Sequence, residues 1–310
     1  VMEKLYVGID VSKDRLDGHI LPNGEAFAVA RDGEGLENLC RRFQGLALSL
    51  IAVEATGGFE TVVVAALAAA GLPVVVVNPA QVRAYARAIG ARAKTDPIDA
   101  LVIARFVEAT KPEIRPFPDE DTRQLADLVA RRRQIIAMIV AEKQREKRAS
   151  VAMQRSIGRL VKALEKELAS VNQDIDGAVR GSPAWREKED LLASVPGVGD
   201  VTARTLLAEL PELGSLTRRE VASLAGLAPY TRQSGQWRGK SFIEGGRASI
   251  RSALYMAAVS ASRCNAALQP FYQRLIAAGK PKKLALIAVA RKLLTILNAM
   301  LRDKKPWQNA

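Results

Sequence analysis

A chain of 310 residues, 48% hydrophobic and 25% charged, is long enough for two cored domains and has the balance of an ordinary globular protein. Two isolated cysteines and one histidine argue against a disulfide framework, a thiolate metal site or a His-based triad, and they fit a reducing cytoplasm. The net charge of +13 is concentrated at one end: residues 213–310 carry 17 basic and 3 acidic side chains, whereas residues 1–118 carry 13 and 14. Nucleic acid is the commonest polyanion that makes such self-repulsion tolerable, the bland alternatives being a soluble basic surface or a membrane-facing patch.

In chain order, residues 5–11 alternate at period two and predict a first strand. Residues 19–22 and 26–30, turning at Asn23-Gly24, predict a hairpin that continues the sheet. A helix over 35–43 and a strand over 48–53, ending at Glu54-Ala55-Thr56-Gly57-Gly58, come next. A helix over 60–70 is closed by Gly71 and Pro73, and four consecutive valines, Val74 to Val77, predict a strand buried on both faces. Helices over 80–89 and 97–109 complete a mixed α/β domain with a central sheet. No basic-then-apolar leader opens the chain. Its most apolar stretch, residues 61–77, is broken by Gly71 and Pro73, so neither half would span a bilayer.

Pro112, Pro116 and Pro118 mark a boundary. Residues 121–175 contain one glycine and no proline and predict long helices, read either as a coiled-coil arm or as a plain helical linker. A break over 177–183 precedes a compact, mostly helical remainder. The division expected is 1–118, a catalytic α/β domain; 119–182, a helical arm; and 183–310, a basic C-terminal domain.

Asp10 and Glu54 close two predicted strands, the positions where α/β sheets gather ligands. Asp96 and Asp99 share one face of a helix start. Four acids without His or Cys partners suit a hard cation, Mg²⁺ or Mn²⁺, and two such ions support phosphodiester chemistry. Each acid also has a plainer reading: Asp96 as an N-cap before Pro97, Asp99 reaching back as in a capping box, Glu54 as a solvated strand end. Asp10 is harder to dismiss, because a partly buried acid needs a partner.

Residues 191–207 read as helix, Pro196-Gly197-Val198-Gly199 turn, helix. Gly197 and Gly199 would let backbone amides approach a phosphate in helix–hairpin–helix fashion, although a tight turn between packed helices gives the same pattern. Further on, Thr231-Arg232-Gln233-Ser234-Gly235-Gln236-Trp237-Arg238-Gly239-Lys240 places a hydroxyl among Arg232, Arg238 and Lys240. On its residues alone Ser234 is a turn residue, because a serine nucleophile needs activation and no neighbour in sequence supplies a base. Arg247 and Arg251 extend the basic surface.

The segments Tyr6-Val7-Gly8-Ile9-Asp10-Val11-Ser12-Lys13, Glu54-Ala55-Thr56-Gly57, Lys94-Thr95-Asp96-Pro97-Ile98-Asp99-Ala100, Pro196-Gly197-Val198-Gly199 and Leu227-Ala228-Pro229 through Ser234-Gly235 resemble, in order, the DEDD transposases of insertion-sequence family 110, relatives of the Piv-type DNA invertases. The resemblance implies a RuvC-like, ribonuclease H-type N-terminal domain, a coiled-coil arm and a mostly α C-terminal transposase domain with a helix–hairpin–helix element. It implies divalent metal held by Asp10, Glu54, Asp96 and Asp99, and Ser234 as a nucleophile joined covalently to DNA. It also implies donor and target DNA, a structured non-coding bridge RNA as guide, dimers that assemble into tetramers, and a bacterial cytoplasmic home without a membrane. The chain departs from the family at Glu244-Gly245-Gly246-Arg247, where Lys-x-Gly-Asn is often found, leaving the role of Arg247 open. The alternative is a metal-dependent nuclease of the Holliday-junction-resolving kind that uses water. A sugar kinase or actin-like ATPase lacks the further glycine turns it would need here, and a non-catalytic nucleic-acid binder is the last reading.

Overall fold

In the computed structural model, described over residues 4–91, 95–114 and 119–308, the chain divides into two units, Val1–Phe117 and Pro118–Ala310. Pro116 and Pro118 lie outside the described residues.

The first unit is built on β1 (Leu5–Val11), β2 (Arg15–Leu21), β3 (Glu25–Ala30), α1 (Gly33–Gln44), β4 (Leu48–Glu54), α2 (Glu60–Ala69), β5 (Val74–Val77), α3 (Pro79–Ala88) and α4 (Asp96–Thr110). The sheet order is β3-β2-β1-β4-β5, with β1, β2 and β3 antiparallel and β4 and β5 parallel to β1. Period-two alternation divides the strands between two cores. Val7, Ile9, Val11, Ile51 and Val53 pack on one face with Leu39 and Phe43 of α1 and Val64 and Leu67 of α2. On the other face Tyr6, Leu50, Ala52, Val75 and Val77 pack with Val82 of α3 and Ile103 and Val107 of α4. Each large side chain buried this way contributes roughly 1.5–3 kcal/mol over its exposed state.

Three local expectations shift. Val74 packs into one core and Val75 and Val77 into the other, so the valine run is buried on both faces except at Val76, which is 47% exposed on the edge strand. The cap of α4 is Thr95 in extended conformation, without a side-chain cap bond, so Asp96 is the first helical residue and not the N-cap. The hairpin strand β2 starts at Arg15, four residues earlier than the apolar pattern indicates, because Asp17 and Gly18 are buried within it.

The second unit begins with a helical hairpin, α5 (Glu120–Glu146) and α6 (Val151–Gly181). Arg132 donates to Asn172 at 2.8 Å, and Lys143 pairs with Glu165 at 2.7 Å across it. No break occurs at Gly177, and α6 continues to Gly181. Then come α7 (Pro183–Ala193), α8 (Asp200–Glu209), α9 (Arg218–Leu224), the short strands β6 (Pro229–Tyr230), β7 (Gln233–Ser234), β8 (Trp237–Arg238) and β9 (Phe242–Ile243), and α10 (Ala248–Cys264), α11 (Leu268–Ala277) and α12 (Lys282–Asp303). Leu125, Ile135 and Ile175 of the hairpin share one core with Leu192, Leu206, Leu254 and Leu293 of the later helices. By length and composition α12 could cross a membrane, and nearly half of its apolar window is buried in this core.

Candidate active site

The face of the sheet covered by α4 carries the acids. Tyr6, Gly8 and Asp10 alternate onto it from β1, and Leu50, Ala52 and Glu54 from β4. The parallel register pairs Gly8 with Ala52 and Ile9 with Val53, so Asp10 and Glu54 stand one step further on, on adjacent strands spaced about 4.8 Å apart. Both are partly buried. Glu54 leads into a loop with positive-φ Gly57 and Gly58, fixed by the Glu60 carboxylate, which accepts from the Thr56 and Gly58 amides at 2.9 Å.

Helix α4 lies against β1 at Gly8. A Cβ on Gly8 would stand 2.3 Å from the Ala100 carbonyl oxygen and the Ala104 nitrogen, so only glycine admits the helix there. Asp99, partly buried, precedes that contact by one residue, and Asp96 opens the same helix; its side chain, like Lys94 of the motif, lies outside the described residues. Among the described residues no group of three or more His, Cys, Asp or Glu is arranged to hold a metal ion. What the described backbone brings together is the Asp10–Glu54 pair beneath the helix that carries Asp99, an all-carboxylate set whose chemistry fits a hard divalent cation.

One acid of this face escaped the sequence reading. Asp17 pairs with Asp10 across the antiparallel β1–β2 ladder, is 5% exposed, and is held by Arg15, whose Nε and Nη2 donate to it at 2.7–3.1 Å. Its signal was the Arg-x-Asp spacing on a strand, which places both side chains on one face. His19 pairs with Gly8 on this face as well; burial, then the Arg105 charge, lowers its pKa below the ordinary histidine value.

In the second unit Ser234 sits at the tip of a β-hairpin, paired with Trp237 around Gly235, which takes φ 55°. Ser234, Arg232, Arg238 and Lys240 are exposed, and the Arg232 guanidinium lies 4.6 Å from the Phe242 ring centre. Among the described residues no hydrogen bond reaches the Ser234 hydroxyl, so no base is poised on it. Arg247 is committed within the protein: it grips Glu212 through two 2.7 Å bonds and the Glu209 carbonyl at 2.9 Å. Arg251 donates to the Gly245 carbonyl at 2.6 Å.

The 196–199 turn joins α7 to α8, with Gly199 as the α8 N-cap. Gly197 has φ 101°, and a Cβ there would strike the backbone of Ala261 at 2.6–2.7 Å. Close packing against α10 therefore requires glycine at position 197. Gly199 faces open space and leaves the start of α8 accessible.

Residues 7–149 match the DEDD, IS110-type family model described as a transposase, and residues 189–273 match the model of the transposase IS116/IS110/IS902 family. The pilin gene-inverting proteins of Moraxella bovis and Moraxella lacunata are each 29% identical over 317 residues, covering 99% of this chain and 98% of theirs. An uncharacterized 43.6 kDa protein of insertion element IS110 from Streptomyces coelicolor is 31% identical over 150 residues, 48% of this chain and 36% of that protein. With two models of one family matched in order over most of its length, the chain belongs to the IS110 family of transposases, enzymes of DNA recombination.

Proposed function

We propose that this transposase cuts and rejoins DNA strands with Ser234 as nucleophile and a carboxylate centre of Asp10, Glu54, Asp96 and Asp99, in a RuvC-like domain, holding two Mg²⁺ or Mn²⁺ ions. The observation that carries the reading is the register that sets Asp10 beside Glu54 on the sheet face covered by α4. Divalent metal there would supply positive charge to activate an attacking oxygen and to stabilise the leaving one. The chain's own residues do the rest. The Ser234 Oγ–P bond forms as the P–O bond to a deoxyribose oxygen breaks; the serine proton passes to solvent and the released oxygen takes one up. Attack by a second strand's hydroxyl reverses the exchange, restoring the serine and rejoining DNA without an external energy source. Arg232, Arg238 and Lys240 stabilise the phosphate's developing charge. The α7–turn–α8 element, through Gly199 and the first amides of α8, grips the backbone in helix–hairpin–helix manner. A structured non-coding RNA selects donor and target, the α5–α6 hairpin serves as the arm, and dimers assemble to tetramers in the bacterial cytoplasm.

One observation favours the water-using nuclease, namely the absence of a base on Ser234 among the described residues. A protein–DNA adduct that survives denaturation separates the two. It is expected for the native chain with Mg²⁺ and lost in Ser234→Ala, which stays folded. Recombination at native rate by Ser234→Ala would end the serine mechanism.

A further inference from the structure

A groove of about 1720 Å³ runs between α10 and α12 in the second unit, larger than the roughly 300–1,000 Å³ of a small-molecule site. Successive turns of α12 line one wall and Arg251, Tyr255 and Met256 of α10 the other, with Phe271 of α11 between them. Six cations border it, Arg218, Arg219, Arg251, Lys283, Arg291 and Lys292, and no acidic residue lines it. None of the six forms an ion pair among the described residues, whereas Arg133, Arg204 and Arg247 of the same unit are all paired. The floor is apolar and open: Met256 is 63% and Leu284 48% exposed. Phe242, the ring under Arg232, and Pro229, both from the strands that carry the serine hairpin, line the groove's end.

Unpaired cations around an aromatic, apolar floor fit a polyanion that also has flat faces to bury. A duplex satisfies the first demand but hides its bases; an unpaired strand satisfies both. We propose that the groove holds an unpaired DNA strand, phosphates along the α12 and α9 cations, Lys292 among them held over the Phe271 ring at 4.7 Å, and a base over Tyr255, leading into the serine hairpin. The choice of DNA rests on the strand-exchange reading above; the groove itself does not depend on Ser234.

The test is fluorescence anisotropy of the full-length protein with a labelled 12-nucleotide DNA, its duplex and its RNA counterpart, across salt. The unpaired DNA is expected to bind tightest. Six engaged cations give log K against log salt a slope of about −4, and Lys283→Ala/Arg291→Ala flattens it by about 1.4. Tyr255→Ala is expected to weaken binding about tenfold, the loss of one stacked base. A 5-iodouracil oligonucleotide is expected to photocross-link the native protein within α10 or α11, a readout that needs no variant. Native affinity and salt slope for the unpaired DNA in Lys283→Ala/Arg291→Ala, a cross-link elsewhere, or self-association abolished by the same substitutions would each overturn the proposal. Ser234→Ala is expected to bind the oligonucleotide normally; adduct formation by that variant would sink the serine mechanism while leaving the groove standing.

Discussion

Asp10 and Glu54 each end a strand whose other inward side chains are apolar, and that much could be read from period-two alternation. That the two strands are neighbours could not, since strand order is a non-local choice and the intervening β2–β3 hairpin separates them in sequence. The structure makes them adjacent, and two carboxylates side by side at strand ends suit a hard divalent cation. Asp10→Asn or Glu54→Gln should therefore reduce Mg²⁺-dependent strand cleavage by roughly 10³-fold or more while thermal unfolding changes little. A variant cleaving at the native rate would remove the carboxylate from the chemistry. Asp17 escaped the sequence reading because the apolar pattern starts the strand at residue 19, which leaves Asp17 outside it. The neighbouring His19 gives a pH signature. Its folded pKa is lowered, first by burial and then by Arg105, so the unfolded chain binds its proton more readily. Stability from this group is present above the ordinary pKa of about 6.5 and is lost as pH falls below it. The melting temperature should drop between pH 7.5 and 5.5, and His19→Gln should shrink that drop; an unchanged profile would contradict the assignment.

At the scale of elements, the long helices and the parallel strands announced themselves through periodicity, and the exceptions have identifiable causes. Gly177 does not break α6, because one glycine costs a helix only about 1 kcal/mol and the apolar stripe through Val171, Ile175 and Val179 more than offsets it. The four strands around the serine are two residues each, too short for any alternation to show. The Pro196–Gly199 turn was readable as a turn, but what its glycines do was not. Gly197 is held in the left-handed region with α10 against it, and Asn265 braces the same turn by donating to the Pro196 carbonyl at 3.2 Å. Gly197→Ala must combine backbone strain with a clash against Ala261, and it is expected to cost about 2–4 kcal/mol in urea denaturation. Gly199→Ala, at φ −100° with open space beside it, is expected to fold normally. A selective loss of DNA affinity in Gly199→Ala, without loss of stability, is the result a backbone-gripping turn requires; unchanged affinity for every DNA form would assign the turn to packing alone.

For the whole molecule, charge is the property that sequence made plainest, and the structure separates its two uses. Some cations of the second unit tie helices together, Arg204 to Asp176 and Glu189, and Arg247 to Glu212, in partly buried pairs that salt screens weakly. Most of the rest face solvent in a segment with 17 basic and 3 acidic residues, and they repel one another. Which effect wins can be measured. If exposed repulsion dominates, raising salt from 50 to 500 mM, which shortens the screening length from about 14 Å to about 4 Å, should raise the melting temperature of the second unit. The first unit, nearly neutral over residues 1–118, should move little, so calorimetry of the full chain resolves the effect as a change in one of two transitions. A polyanion at low salt should stabilise the second unit further, because a ligand that binds only the folded form shifts the equilibrium by mass action. Destabilisation of that unit by salt would mean that the ion pairs dominate and that the positive field is already compensated within the fold, leaving less of it for nucleic acid.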